Sequence, residues 1–243
     1  MTIVAFLSAK HSPGVSTLAV TLSALASDTT PALLVEADPC GGDLAARAGL
    51  RLEPGLATLA GAARRGIDPG VLEQHLQTLA SGAQALVAPT SLEHTVSALR
   101  ALGPRLPRAC EETGRYVFVD LGRWRSDHPA GEMLHAASSV VMLIAPTVEG
   151  VEHARSRLAA IAVDPQRITV VAVGDRPYGT AEIARALGMP VRAVEFDRRS
   201  AEMMGAGCNL DRWMRRTPLV RSARALLDHL YAHVETNVLE MAK

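Results

Sequence analysis

Short apolar runs of strand length punctuate the chain at residues 3–7, 32–35, 85–88, 116–119, 140–144, 168–173 and 191–194. Each is continuous rather than alternating, the pattern of strands buried on both faces. Between them lie amphipathic stretches, residues 18–26, 92–106, 151–161 and 181–187 among them. This β-then-α rhythm is that of right-handed crossover units and predicts an α/β fold, a doubly wound, mostly parallel sheet with helices on both faces. Ligands bind such sheets beyond the carboxyl ends of the strands, which directs attention to the loops after Leu7, Val35, Val119, Ile144 and Val173. Residues 50–82 are helical and loop-rich and read as an insertion between the second and third strands. The stretch 218–243 is amphipathic through Leu219, Leu226, Leu230 and Val234 but carries Asp228, Glu235 and Glu240. Interfacial helices favour Lys and Arg on the polar face, so a packed terminal helix is expected.

Composition narrows the class without changing the architecture. At 243 residues, 48% of them hydrophobic and 3% aromatic, the chain suits one α/β domain spanning residues 1–243 and excludes a disordered one. Lys plus Arg equals Asp plus Glu at 25 each, so no global field draws the protein to nucleic acid or an anionic membrane. Cys40, Cys110 and Cys208 are widely separated and in no metal-ligand spacing, which argues against a disulfide framework or zinc site and for a reducing cytoplasm. No basic leader precedes the first apolar run. The longest apolar stretch, residues 140–146, falls far short of the roughly 20 residues that cross a bilayer, so no membrane insertion is expected.

Candidate chemistry sits in the predicted strand-end loops. Residues 8–17 read Ser-Ala-Lys-His-Ser-Pro-Gly-Val-Ser-Thr, between a strand and a helix that starts near Gly14. A phosphate-binding loop needs glycines that turn backbone N–H groups toward the anion, a helix N-terminus, a lysine for the outer phosphates and a hydroxyl for magnesium. Gly14, the helix start and the Ser16-Thr17 hydroxyls are present; the lysine is not. An ordinary strand-turn-helix connection with Pro13 and Gly14 as turn residues is the alternative. The second strand ends in Glu36-Ala37-Asp38-Pro39-Cys40-Gly41-Gly42-Asp43, where Asp38 serves either as a functional acid or as a turn initiator, and Asp43 as a helix N-cap. Residues 116–119 end in Asp120-Leu121-Gly122, and an aspartate at a strand tip either holds magnesium or caps a turn.

Taken together these motifs resemble the ParA/MinD family of P-loop ATPases, whose variant loop reads Lys-Gly-Gly-x-Gly-Lys-Thr-Thr. Aligned by Gly14, the leading lysine matches Lys10, the paired glycines become His11 and Ser12, the usual P-loop lysine becomes Val15, and the magnesium hydroxyl matches Ser16. The likeness runs on through Asp38 in the second acidic motif, Asp120 at a Walker B tip, and Pro146 in a strand-end turn. Gly174 or Asp175 takes the base-reading position, Leu187-Gly188-Met189-Pro190 leads into a strand, and Glu195-Phe196-Asp197 stands for an acidic switch-like segment. The stretch 50–89 looks most like the CpaE/TadZ localisation proteins. The resemblance implies a P-loop NTPase-like fold that binds ATP and Mg2+. Lys10, Ser12, Gly14, Val15, Ser16 and Thr17 would hold the nucleotide, Ser16, Asp38 and Asp120 the metal, and Asp38 would orient the attacking water.

Without the lysine, nucleotide binding is expected to be weakened and hydrolysis slow or absent. One lost electrostatic contact of this kind costs on the order of 10²–10³ in rate. Two functions stay open at this level: a slow ATP-dependent switch in intracellular positioning or assembly of cargo, and a pseudo-ATPase scaffold or adaptor working through protein–protein contacts. The resemblance further implies a protein partner or cargo and a nucleotide-dependent homodimer in which Lys10 reaches the partner's nucleotide. It also implies weak non-specific DNA binding through Arg198, Arg199, Arg212, Arg215, Arg216, Arg221 and Arg224, residues that read equally as a solvated face paired locally with Asp197, Glu202 and Asp211.

Overall fold

The computed structural model describes residues 2–10 and 13–241, apart from the side chains of Arg65 and residues 234–241. β1 (Thr2–Ser8) leads into α1 (Val15–Ala26), and β2 (Ala32–Glu36) into α2 (Leu44–Ala48). The inserted segment folds as α3 (Leu56–Ala62), α4 (Pro69–Glu73) and a two-residue β3 (Gln77–Thr78) before β4 (Gln84–Leu86). α5 (Leu92–Leu102) and α6 (Arg105–Glu112) precede β5 (Tyr116–Arg123), and α7 (Gly131–Ala136) precedes β6 (Ser139–Ile144). α8 (Val148–Ala160), β7 (Ile168–Val173), α9 (Thr180–Leu187), β8 (Val191–Val194), α10 (Arg198–Gly205) and α11 (Pro218–Met241) follow.

All eight strands lie in one sheet, ordered β3-β4-β2-β5-β1-β6-β7-β8, with every pairing parallel except β3 on β4. The period-2 alternation of side chains divides the core in two. Ile3, Ala5 and Leu7 with Val117, Val119 and Leu121 pack under α3 to α9, while Val4, Phe6, Leu34 and Phe118 pack under α1, α2, α10 and α11. By the same parity Glu36 and Asp120, which are register partners at the carboxyl ends of β2 and β5, fall on the α1 face. That is how two acids come to meet one helix N-terminus.

Three expectations change. The amphipathic stretch 92–106 is two helices, because Gly103 takes the left-handed region at φ 48° and Pro104 starts a new turn. The strand at the 85–88 run is Gln84–Leu86, starting one residue earlier and ending two earlier, and the Ala88 N–H is taken by the Glu36 carboxylate. β5 runs four residues beyond the predicted 119, through Arg123. The terminal helix packs as expected, burying Leu219, Leu226 and Leu230. Val234, Glu235 and Glu240 have side chains outside the described set. Among the described residues no helix is long and apolar enough to cross a membrane.

Candidate functional site

The loop after β1 ends at Gly14, which caps α1 from the left-handed region at φ 98°, and among the described residues no side chain bonds the first-turn N–H groups. A helix start left open in this way offers donors and the positive end of its dipole to an anion. Val15, where the resemblance puts the lysine, is 5% exposed and packs in the apolar layer with Phe6 and Leu18. Lys10 is exposed at the start of the loop. Ser12 lies outside the described residues, as does His11. Thr17 is half-buried one residue past Ser16, and a Cβ on Gly205 of α10 would stand 3.4 Å from its hydroxyl.

The Ser16 hydroxyl lies against the Asp120 carboxylate as a donor, and that carboxylate accepts the Gly122 N–H at 2.9 Å. Burial pushes the Asp120 carboxyl up to about 7, against these two donors and with help from the negative charges of Asp38 and Glu36. Asp38 accepts the Cys40 N–H at 2.8 Å, and its carboxylate lies over Gly122 so closely that a Cβ there would overlap it. Gly122 sits at φ 58°, so both its conformation and its missing side chain are required. A hydroxyl and two carboxylates in an electronegative pocket match the hard-oxygen preference of Mg2+, which takes one or two carboxylates and completes its shell with water and phosphate. Among the described residues no group of three His, Cys, Asp or Glu side chains is arranged to hold a metal by itself.

Glu36 has a different job. Its Oε1 accepts the N–H groups of Asp43 and Leu44 at 2.8 and 2.9 Å, and its Oε2 that of Ala88 at 2.9 Å. The buried carboxylate thus caps α2 from below and ties the loop holding Asp38 to the end of β4. Asp43, expected as the N-cap, makes no side-chain cap bond and instead pairs with Arg47 at 2.8 Å. Burial raises the Glu36 carboxyl above its ordinary range, opposed by the three backbone donors.

On the opposite flank a cavity of about 330 Å³ opens between Gly14, Thr17, Val173, Val194, Phe196 and Asp197. It is mostly apolar, and it brings the expected acidic segment 195–197 to the loop. Asp175 is exposed beyond it and Gly174 is left-handed at φ 85°. The arginines divide. Arg215 makes two hydrogen bonds to Asp28 and Arg224 one, Arg198 pairs with Glu202, and Arg199 lies 5.0 Å over the Trp213 ring. The expected pairings with Asp197 and Asp211 do not form, because these cap the Ser200 and Met214 N–H groups. Among the described residues Arg212, Arg216 and Arg221 have no ion-pair partner.

The structure therefore brings Gly14, Val15, Ser16, Thr17, Asp38 and Asp120 to one end of the sheet, with Lys10 at its edge. Sequence reasoning missed Glu36 as a tether and the extension of β5 that carries Arg123 at its tip. The signal for Arg123 was present in Leu121-Gly122-Arg123, where a glycine kinks the strand end.

No family model matches the chain, and no curated protein matches it by sequence. Solved structures match it along nearly its whole length. A ParA family ATPase from Chlorobium tepidum TLS superposes with a TM-score of 0.79 at 20% identity, covering 94% of this chain and 99% of that one. The septum site-determining protein MinD from Pyrococcus horikoshii OT3, complexed with Mg-ADP, gives 0.73 at 16% identity over 94% and 95%. A Cyanothece McdA variant in complex with ATP gives 0.69 at 15% identity over 96% of each chain. The chain has the ParA/MinD-like P-loop ATPase fold. At these identities the likeness is one of fold.

Proposed function

We propose that the protein is a ParA/MinD-like nucleotide-binding switch that takes ATP and Mg2+ at the α1 N-terminus and hydrolyses it slowly or not at all. The observation that carries this reading is the Ser16 hydroxyl set against the buried Asp120 carboxylate in one pocket, beside a helix start that no described side chain caps. In this reading the first-turn N–H groups and the Thr17 hydroxyl hold phosphate oxygens, and Ser16, Asp38 and Asp120 hold the metal directly or through water. The Gly14–Asp197 cavity receives the nucleoside. A metal held there would neutralise phosphate charge, and Asp38, fixed by the Cys40 N–H over Gly122, would orient a water.

Val15 favours the slow end of this range. A buried valine puts no cation on the transferred group, so the chain retains contacts that bind and lacks one that accelerates. A switch of this kind acts through a protein partner or cargo and through a homodimer formed when nucleotide offsets the facing acids. Any DNA binding is weak and salt-sensitive, resting on Arg212, Arg216 and Arg221, because Arg215 and Arg224 are committed to Asp28.

Thermal unfolding with and without Mg-ATP tests the reading. Nucleotide at 100 times its dissociation constant adds about 2.7 kcal/mol of stability, and the gain should require magnesium. No shift with any nucleotide would replace the switch by a scaffold whose pocket is vestigial.

A further inference from the structure

The site as described has acids and too few cations. Glu36, Asp38 and Asp120 converge at the tips of β2 and β5, and the position of the usual lysine is a buried valine. A triphosphate would add further negative charge to this end of the sheet. A binding site for it needs a cation from somewhere else.

Arg123 is placed to supply it. It is the last residue of β5, the strand that lies between β1 and β2, so its backbone sits between the start of the phosphate loop and the loop carrying Asp38. The register is specific. Phe6 pairs with Asp120, then the strand bulges at Gly122, and Ser8 pairs with Arg123, locked by the Trp124 N–H donating to the Ser8 carbonyl at 3.0 Å. Neighbouring strands stand about 4.8 Å apart, so Arg123 begins one strand spacing from the residue that opens the loop to Lys10. Without the bulge the residue after Gly122 would be out of step with Ser8.

Its side chain is exposed and, among the described residues, has no hydrogen bond or ion pair. Its neighbour Arg125 is spent on Asp127 at 3.0 Å.

The two flanks of the loop fix which phosphate it would meet. The apolar cavity for the nucleoside lies over β6, β7 and β8, through Leu143, Val173 and Val194. The acids and Arg123 lie on the other side of β1, over β5 and β2. A nucleotide running from the cavity across the α1 N-terminus would direct its terminal phosphate to the β5 side of β1, where Arg123 stands at the strand tip.

We propose that Arg123 is the cation that grips the terminal phosphate of a bound nucleoside triphosphate, in place of the lysine that Val15 replaces. The inference rests on the nucleotide-binding reading above and adds to it a residue and an orientation. A forked guanidinium suits bidentate contact with a phosphate, and its reach from a strand tip replaces the reach of a lysine from the helix.

Calorimetry with Mg-ATP and Mg-ADP on the full chain and on Arg123→Ala, Arg123→Lys and Ser16→Ala tests it. Wild type should bind ATP more tightly than ADP. Arg123→Ala should lose about tenfold in ATP affinity while ADP stays within about twofold, and Arg123→Lys should recover part of the loss. The nucleotide-free melting temperature of Arg123→Ala should equal that of wild type, since the side chain is unpaired. If Ser16→Ala weakens both nucleotides but Arg123→Ala leaves the ATP-to-ADP ratio unchanged, the role of Arg123 is wrong and the nucleotide reading stands. If wild type binds neither nucleotide, both fall.

Discussion

On the β2–β5 side of the α1 N-terminus each carboxylate is held by named donors, whereas on the β1 loop side the residue expected to carry charge is a valine packed in the core. Glu36 takes three backbone N–H groups, Asp120 an N–H beside the Ser16 hydroxyl, and Asp38 an N–H over a glycine that cannot be anything else. Val15 touches apolar neighbours, and Lys10 stands exposed at the rim. Buried acids are costly to keep unless they are used or bonded. The contrast separates two features that active P-loops combine: oxygen donors gathered beside a helix start, which this chain has, and a cation on the transferred group from α1, which it lacks.

The largest effect is expected from Glu36→Gln. The amide has a single acceptor oxygen and turns its NH2 toward at least one backbone donor, leaving the Asp43–Leu44 pair or Ala88 unsatisfied. Urea unfolding should show a loss of about 3 kcal/mol. A change below about 1 kcal/mol would mean that the tether between β2, α2 and β4 is not what holds the Asp38 loop.

Asp120→Asn should move stability the other way. With the Asp120 carboxyl at about 7, the folded chain keeps a proton that the unfolded chain has already released, so its stability declines as pH rises from about 4 to 7. Asparagine carries no charge and can keep the Gly122 N–H bond. The variant should therefore be about 2–4 kcal/mol more stable than wild type at pH 8 and close to it at pH 4. A difference independent of pH would show that Asp120 is ionised at ordinary cost, and the acid-rich side would lose its strained character.

Much of this was legible in the chain. Continuous apolar runs mark the central strands, and residues 168–173 and 191–194 match β7 and β8 end to end. Asp38, Asp120 and the Gly14 helix start were legible because each lies at a strand end where periodicity stops. β3 was not, since two residues carry no period, and the break at 103–104 was overridden by an apolar pattern that continues across it through Leu102 and Leu106. The work of Glu36 was hidden because its three donors come from residues 43, 44 and 88, brought together only by the sheet order. Arg215 and Arg224 meet Asp28 for the same reason, from nearly 200 residues away.

The central claim, that a metal-bound nucleotide sits between the α1 N-terminus and Asp120, is tested most directly by electron paramagnetic resonance of Mn2+ in place of Mg2+. With ATP present, the protein should immobilise one Mn2+ per chain, without ATP it should hold little, and Ser16→Ala should abolish the bound signal. Mn2+ bound equally well without ATP, or bound by Ser16→Ala as by wild type, would contradict the account.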